Sequence, residues 1–291
     1  MRTIIYTISV ILIAFSFSSC EDVIDLDLKN GRSQLVIDGF INSDSTIQSI
    51  RLTKSAAYFL NAPTPSVNNA VVKIEGPNNL VYPFVNDGNG NYNYNPTSMG
   101  KLDSIGFEYR LIVEYENNTY LGKSTLKPVP VIDSITYEFE EADLGSEEGY
   151  YAQFWAKDFY GSRDFYWIKA YKNSNPIDTL QYAQFILSQD AAFDGPAADG
   201  LTFILPIRAS ITNRDEPFII GDSCSVELLS MNEDAWNYLI QVSSQANNGG
   251  LFATPTANVR STITDLAGNL QNDVLGVFSI SSISRNYKII Q

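Results

Sequence analysis

Apolar and polar residues alternate most cleanly over 106–116, where Phe107, Tyr109, Leu111, Val113 and Tyr115 interleave with Glu108, Arg110, Ile112, Glu114 and Glu116. A period of two predicts a strand with one buried and one largely wet face. Asn117-Asn118 predicts a tight turn into a second strand over 119–125, completing a hairpin. Shorter apolar runs predict further strands at 34–41, 47–54, 70–75 and 80–85. Roughly seven short strands at even spacing predict a β-sandwich over 33–127. Asn86-Asp87-Gly88-Asn89-Gly90-Asn91-Tyr92 carries alternate Asp and Asn oxygens, as calcium loops do. It has one carboxylate and no closing Glu at the right offset, so it reads as a hairpin turn whose residues tolerate positive φ.

Pro128-Val129-Pro130 favours extended backbone without ladder donors and marks a joint. Beyond it, over 131–291, alternation and aromatic-rich runs predict strands at 132–139, 150–156, 165–172, 201–211 and 223–229. The helical period appears once, over about 231–247. There Ser230-Met231-Asn232-Glu233 has capping-box spacing, Ala235, Leu239, Val242 and Ala246 recur, and Gly249-Gly250 ends the run. This helix is expected on the sheet of the second module, with Trp236 and Tyr238 in its core or rim. The expected fold is mainly β: an N-terminal β-sandwich followed by a second β-rich domain carrying one helix.

The first thirty-odd residues follow a different logic. Met1-Arg2, an apolar run over 4–17 and small residues before Cys20 have the parts of a secretory signal over 1–19. The run falls short of the ~20 residues that span a bilayer. Ser18-Ser19-Cys20 resembles the acylation site of bacterial lipoproteins, which makes Cys20 the expected lipidated terminus. Glu21 and Asp22 open an acidic tether over 20–32 and resemble a surface-export signal, although a charge run is as readily a solvated linker. The expected location is therefore the outer membrane, lipid-anchored, on the cell surface or on the periplasmic face.

Composition narrows the chemistry. Thirty-three acidic against 19 basic residues give a formal charge of −14, so nucleic acid is an unsuitable partner and membrane contact should come through the lipid. The chain has no histidine, which removes Ser-His-Asp and Cys-His catalysis and histidine-based zinc sites. After acylation of Cys20 the remaining thiol is Cys224, in a strand-like stretch where such residues are small buried hydrophobes. No metal or cofactor is expected. A glycosidase-type enzyme would need two acids flanking a bond, and Asp158, Asp164, Asp190, Asp194 and Asp199 can be nominated, but abundance alone pairs them. Among the aromatics, Tyr151, Trp155, Phe159, Tyr160 and Trp167 sit near strands, where most point inward. Tyr58 and Phe59 fall in a loop bounded by Asn61 and Pro63 and are the preferred contacts for a ligand or partner.

Several segments appear together in a particular order. They are Leu35-Val36-Ile37-Asp38-Gly39-Phe40-Ile41, Leu52-Thr53-Lys54-Ser55, Pro65-Ser66-Val67 leading to Ala70-Val71-Val72-Lys73-Ile74, Gly90-Asn91-Tyr92, Ile132-Asp133-Ser134-Ile135, Phe165-Tyr166 and Gly276-Val277-Phe278. In this order and spacing the chain resembles a Bacteroidetes lipoprotein family catalogued as domain of unknown function 4249. The resemblance covers nearly all of the mature chain. It implies a tethered envelope protein, often encoded beside TonB-dependent outer-membrane receptors, and no catalytic residues. The first module is also similar to carboxypeptidase-regulatory, transthyretin-like sandwiches, with Gly106-Phe107-Glu108-Tyr109 at the matching strand start; that likeness bears on architecture only. The leading expectation is a non-enzymatic surface protein that binds a ligand or partner, as an accessory to a TonB-dependent transporter. A carboxylate hydrolase and a purely structural envelope role are the alternatives.

Overall fold

The computed structural model describes residues 33–56, 63–177, 185–193, 195–248, 257–270 and 273–291, and Ser33–Gln291 forms one compact unit. The chain is mainly β. Its strands are β1 (Leu35–Asn42), β2 (Gln48–Lys54), β3 (Val71–Glu75), β4 (Val81–Asn86), β5 (Asn91–Tyr94), β6 (Glu108–Tyr115), β7 (Asn118–Thr125), β8 (Ile132–Glu140), β9 (Gly149–Ala156), β10 (Phe165–Lys172), β11 (Asn175–Pro176), β12 (Ile186–Gln189), β13 (Ser223–Met231), β14 (Val274–Ser281) and β15 (Ile283–Ile289). The helices are a single turn, α1 (Pro96–Met99), and α2 (Glu233–Ala246).

The first sheet has the order β14-β1-β2-β5-β4-β3-β6-β7. Every pair in it is antiparallel except β1 with β14, which run parallel in register from Leu35↔Val274 to Asn42↔Ser281. Strand β4 turns a corner: residues 81–84 pair with β3, while Val85 and Asn86 pair with β5. On the opposite side an extended segment around Thr264 closes the gap. Thr264 exchanges both backbone hydrogen bonds with Leu121 of β7, and the Thr262 N–H donates to the Gly276 carbonyl of β14. The sheet is thereby rolled around one core containing Ile37, Ile50, Ile74, Tyr92, Tyr94, Tyr109, Leu111 and Ile263. Burial along β6 alternates as the sequence pattern predicts. The β6–β7 hairpin turns on Glu116 and Asn117, both at positive φ, one residue earlier than the Asn117-Asn118 reading.

Strand β5 is an element that the sequence reading passed over. Asn91 and Asn93 occupy its wetter positions and disguise a strand whose Tyr92 and Tyr94 are buried. The preceding Asn-Gly loop is held by its own polar groups: Asp87 accepts from the Asn89 N–H at 2.9 Å, and the Gly90 N–H donates to Asn68 Oδ1 at 2.7 Å.

The second sheet has the order β11-β10-β13-β15, with β12 also paired to β10, and β8 and β9 form a separate antiparallel pair. Side chains join the two, because Ser284 Oγ accepts from the Ile132 N–H and Asn286 Nδ2 donates to the Ile132 carbonyl, both at 3.0 Å. A second core, including Phe154, Tyr166, Ile168, Phe203, Phe218 and Val226, fills this region. The strand expected over 201–211 does not form. Pro206 has no N–H for a ladder, and the segment coils through a short 3₁₀ turn at Ile207–Ala209. Phe203, Ile207 and Ile211, four residues apart, are buried all the same, with Phe203 5.4 Å from the Phe154 ring of β9.

Helix α2 starts later than its expected bounds. Ser230 and Met231 remain in β13, Ser230 Oγ donates to the Lys127 carbonyl at 2.8 Å, and Asn232 is the N-cap residue without a side-chain cap. The capping box is not made. Ala235 and Leu239 enter a third core with Phe165, Trp167, Leu229 and Met231 of the second sheet and Val277 of β14. The helix thus touches both sheets. The chain also crosses between them at its end: β14 completes the first sheet and, one residue later, β15 lies in the second.

Candidate functional site

Of the residues singled out from sequence, Cys20, Glu21, Asp22, Tyr58, Phe59 and Asp194 lie outside the described residues. The other aromatic candidates divide sharply. Tyr151 donates to the Glu147 carbonyl at 2.7 Å, Trp155 Nε1 donates to Thr136 Oγ1 at 2.8 Å beneath the Arg208 guanidinium, and Trp167 is buried edge-on against Phe40. These three hold the fold together. Phe159 and Tyr160 instead stand outward on the loop between β9 and β10, and Tyr160 is 88% exposed.

The acids beneath them are not dispersed. Asp158, Asp164 and Asp190 are all buried at one end of the second region. Asp158 follows β9, Asp164 precedes β10 and Asp190 follows β12, and antiparallel pairing of β10 with β12 brings these ends together. Tyr166 Oη donates to Asp158 Oδ1 at 2.6 Å and the Gly200 N–H to Asp158 Oδ2 at 3.2 Å. The Asp164 N–H donates to Asp190 Oδ1 at 2.9 Å, the Asp190 N–H returns to the Asp164 carbonyl at 2.8 Å, and Ser162 Oγ donates to Asp164 Oδ2 at 2.6 Å. Asp199 accepts from the Gly161 N–H at 2.9 Å.

Burial pushes the Asp158 carboxyl above its ordinary value, against the Tyr166 and Gly200 hydrogen bonds, with Asp164 and Asp190 adding to the rise. The Tyr166 hydroxyl is driven far up by burial and by the same carboxylate. What this arrangement does chemically is satisfy backbone N–H groups where no strand can. It ties the loops 157–164, 190–193 and 195–206 to one another. Two more backbone bonds complete the tie, Asp158 N–H to the Leu201 carbonyl at 2.9 Å and Ile204 N–H to the Ala191 carbonyl at 3.1 Å.

From these tied loops six apolar side chains face solvent: Phe159, Tyr160, Phe193, Leu201, Ile204 and Leu205. Tyr160 lies so close over Gly200 that a Cβ there would meet its ring at 2.8 Å, and Gly200 has φ +71, so glycine is required on both counts. Exposed apolar side chains gathered on loops that a rigid scaffold positions are the physical signature of an interaction surface. Sequence reading named two of the six. Of the others, Leu201, Ile204 and Leu205 sit in the segment expected to be a strand, and Phe193 lies between the nominated Asp190 and Asp194.

A second concave feature lies along α2. A cleft of ≈ 580 Å³ is lined by Asp234, Asn237, Ile240 and Gln241 of the helix and by Arg260, Thr262 and Thr264 of the extended segment opposite. A further cleft of ≈ 350 Å³ shares Arg260, Ser261 and Leu270 with it. The lining follows from periodicity. On the helix, 234, 237 and 241 share one face while Ala235 and Leu239 enter the core; on the segment, 260, 262 and 264 face out while Ile263 is buried. Among the described residues no cluster of three or more His, Cys, Asp or Glu could hold a metal ion.

The arrangement defines a β protein of two larger sheets and a separate strand pair, with a loop-borne apolar surface and a polar cleft. The chain belongs to a family described as a domain of unknown function, DUF4249, whose model matches residues 21–286. A search of curated proteins gives no match.

Proposed function

We propose that this chain is a non-enzymatic, lipid-anchored outer-membrane protein that docks a protein partner through the loop surface around Tyr160, in the manner of an accessory to a TonB-dependent transporter. The observation that carries the reading is the tied loop cluster itself. Six apolar side chains are held in water by loops that Asp158 and Asp190 tie together through hydrogen bonds, so little ordering entropy remains to be lost on docking. The signal-like segment before Cys20 supports the anchor and the envelope setting. The carboxylates that a hydrolase would need are committed to loop N–H groups and to Tyr166, which disfavours that alternative.

The test is recovery of tagged protein from detergent-solubilised outer membrane. A β-barrel receptor is expected to co-purify in stoichiometric amount with the native chain and to be lost from Tyr160→Ser/Leu205→Ser, while Cys20→Ala leaves the membrane fraction. Equal recovery of the receptor with the double variant, or no receptor with the native chain, overturns the proposal.

A further inference from the structure

The cleft between α2 and the segment 260–264 carries an inference independent of the docking surface. Its walls run antiparallel: the Ala257 N–H donates to Gln245 Oε1 at 3.1 Å and the Arg260 N–H to Gln241 Oε1 at 3.3 Å, so advancing along the segment retreats along the helix. Arg260 therefore stands beside Gln241 at one end of the cleft, and Asp234 stands two turns away at the other. Seven residues at 1.5 Å each put these ends roughly 10 Å apart. Among the described residues neither the Arg260 guanidinium nor the Asp234 carboxylate makes an ion pair or a side-chain hydrogen bond. Between them lie the Asn237 amide and the Thr262 and Thr264 hydroxyls, with Ile240 and Leu270 as the apolar lining.

Each part of this lining limits the ligand. A single cation opposed by a single anion disfavours a purely anionic ligand, and among the described residues the lining carries no aromatic side chain, the stacking platform that a neutral sugar would use. Amide and hydroxyl groups that both donate and accept suit peptide bonds. The ammonium and carboxylate of an extended tripeptide lie about 10 Å apart, comparable with the roughly 10 Å rise along the helix from Asp234 to Gln241, beside which the Arg260 backbone lies. We infer that this cleft binds short peptides with free termini, Asp234 taking the ammonium and Arg260 the carboxylate.

Calorimetric titration of the full-length chain with trialanine tests this. Saturable binding is expected, weakened about tenfold by Arg260→Gln and by Asp234→Asn, because each removes one charge-assisted pair. N-acetyl-trialanine amide, which has neither charge, should bind at least tenfold more weakly than trialanine. Both substituted side chains are exposed, so thermal melting of the variants should match the native chain; if one variant melts early, the capped peptide on native protein still decides. Absence of saturable trialanine binding, equal binding of the capped peptide, or indifference of folded variants overturns the inference. None of these outcomes bears on receptor recovery through Tyr160, so the two proposals fail separately.

Discussion

The two sheet regions solve the same problem with different groups. In the first, tyrosine hydroxyls stitch loops to the core: Tyr92 Oη donates to the Val67 carbonyl at 3.1 Å and accepts from the Ala70 N–H at 3.0 Å, Tyr94 Oη donates to the Gly100 carbonyl at 2.7 Å, and Tyr109 Oη accepts from the Ser104 N–H at 3.0 Å. In the second, carboxylates do this, through Asp158, Asp164, Asp190 and also Asp222, which accepts from the Ile219 N–H at 2.9 Å and the Asn173 amide at 2.6 Å. A hydroxyl both donates and accepts, so it can bridge a carbonyl and an N–H; a carboxylate only accepts, which suits loops that turn several N–H groups inward. The choice has a consequence for pH. Burial pushes the Tyr92 and Tyr94 hydroxyls above their ordinary value, whereas, against burial, hydrogen bonds hold the Asp222 carboxyl below its own.

The largest expected effect tests whether the regions can be separated at all. Gly276 in β14 has φ +121, and a Cβ there would lie 1.9 Å from the Ile37 carbonyl oxygen of the parallel neighbour β1. Gly276→Ala should cost at least about 3 kcal/mol and leave little soluble folded protein, because the clash is with backbone and β14 closes the first sheet while leading directly into the second. Circular dichroism of the purified variant checks this, and a variant melting within a few degrees of the native chain would mean that β14 is dispensable.

A smaller effect distinguishes the two polar strategies. Burial raises the Asp222 carboxyl, but the Ile219 N–H, Asn173 and Lys172 outweigh it, so the net shift is downward from 3.8. A lowered native value means that the unfolded chain binds the proton more readily. The contribution is then full above 3.8 and is lost as the pH falls through the native value. Asp222→Asn should cost about 1.5–3 kcal/mol at neutral pH, with the deficit closing below pH 3.8 in urea melts. Asp158 works in the opposite sense. Its value is raised, so its contribution is full below 3.8 and declines as the pH rises through the native value.

Smaller still is Tyr92→Phe, which leaves the Val67 carbonyl and Ala70 N–H without the hydroxyl at the cost of about 1–2 kcal/mol. That deficit should be flat between pH 4 and pH 8, in contrast with Asp222→Asn. The smallest effect concerns Cys224, fully buried in β13, its thiol pushed up by desolvation to about 12. A disulfide reagent should leave it unmodified in native protein and titrate it fully in denaturant; rapid native reaction would show that the second core opens readily.

The contrast also explains which parts of the molecule were legible. Strands β1, β6, β10 and β13 could be read within a residue or two because each alternates or packs as a continuous apolar run. Strand β5 was hidden by asparagines, and the segment 201–211 looked like a strand because its buried residues are apolar, although they bury at a spacing of four around Pro206. The nominated acids were recognised by type but not as a group. Asp158 and Asp164 flank one loop, yet Asp190 joins them only through the pairing of β10 with β12. The cleft gave no signal, since Arg260 and Asp234 line it from separate elements and neither belongs to a motif.

By itself the sequence determined the mainly β character, the helix near residue 240 and the absence of histidine chemistry, because periodicity and composition are local properties that any fold must respect. Tertiary structure decided that β14 returns to lie parallel to β1, that three carboxylates share one buried corner, and that a polar cleft opens beside α2. These depend on which strand ends become neighbours. Hydrogen-bond pairing between distant segments sets that, and no local pattern encodes it.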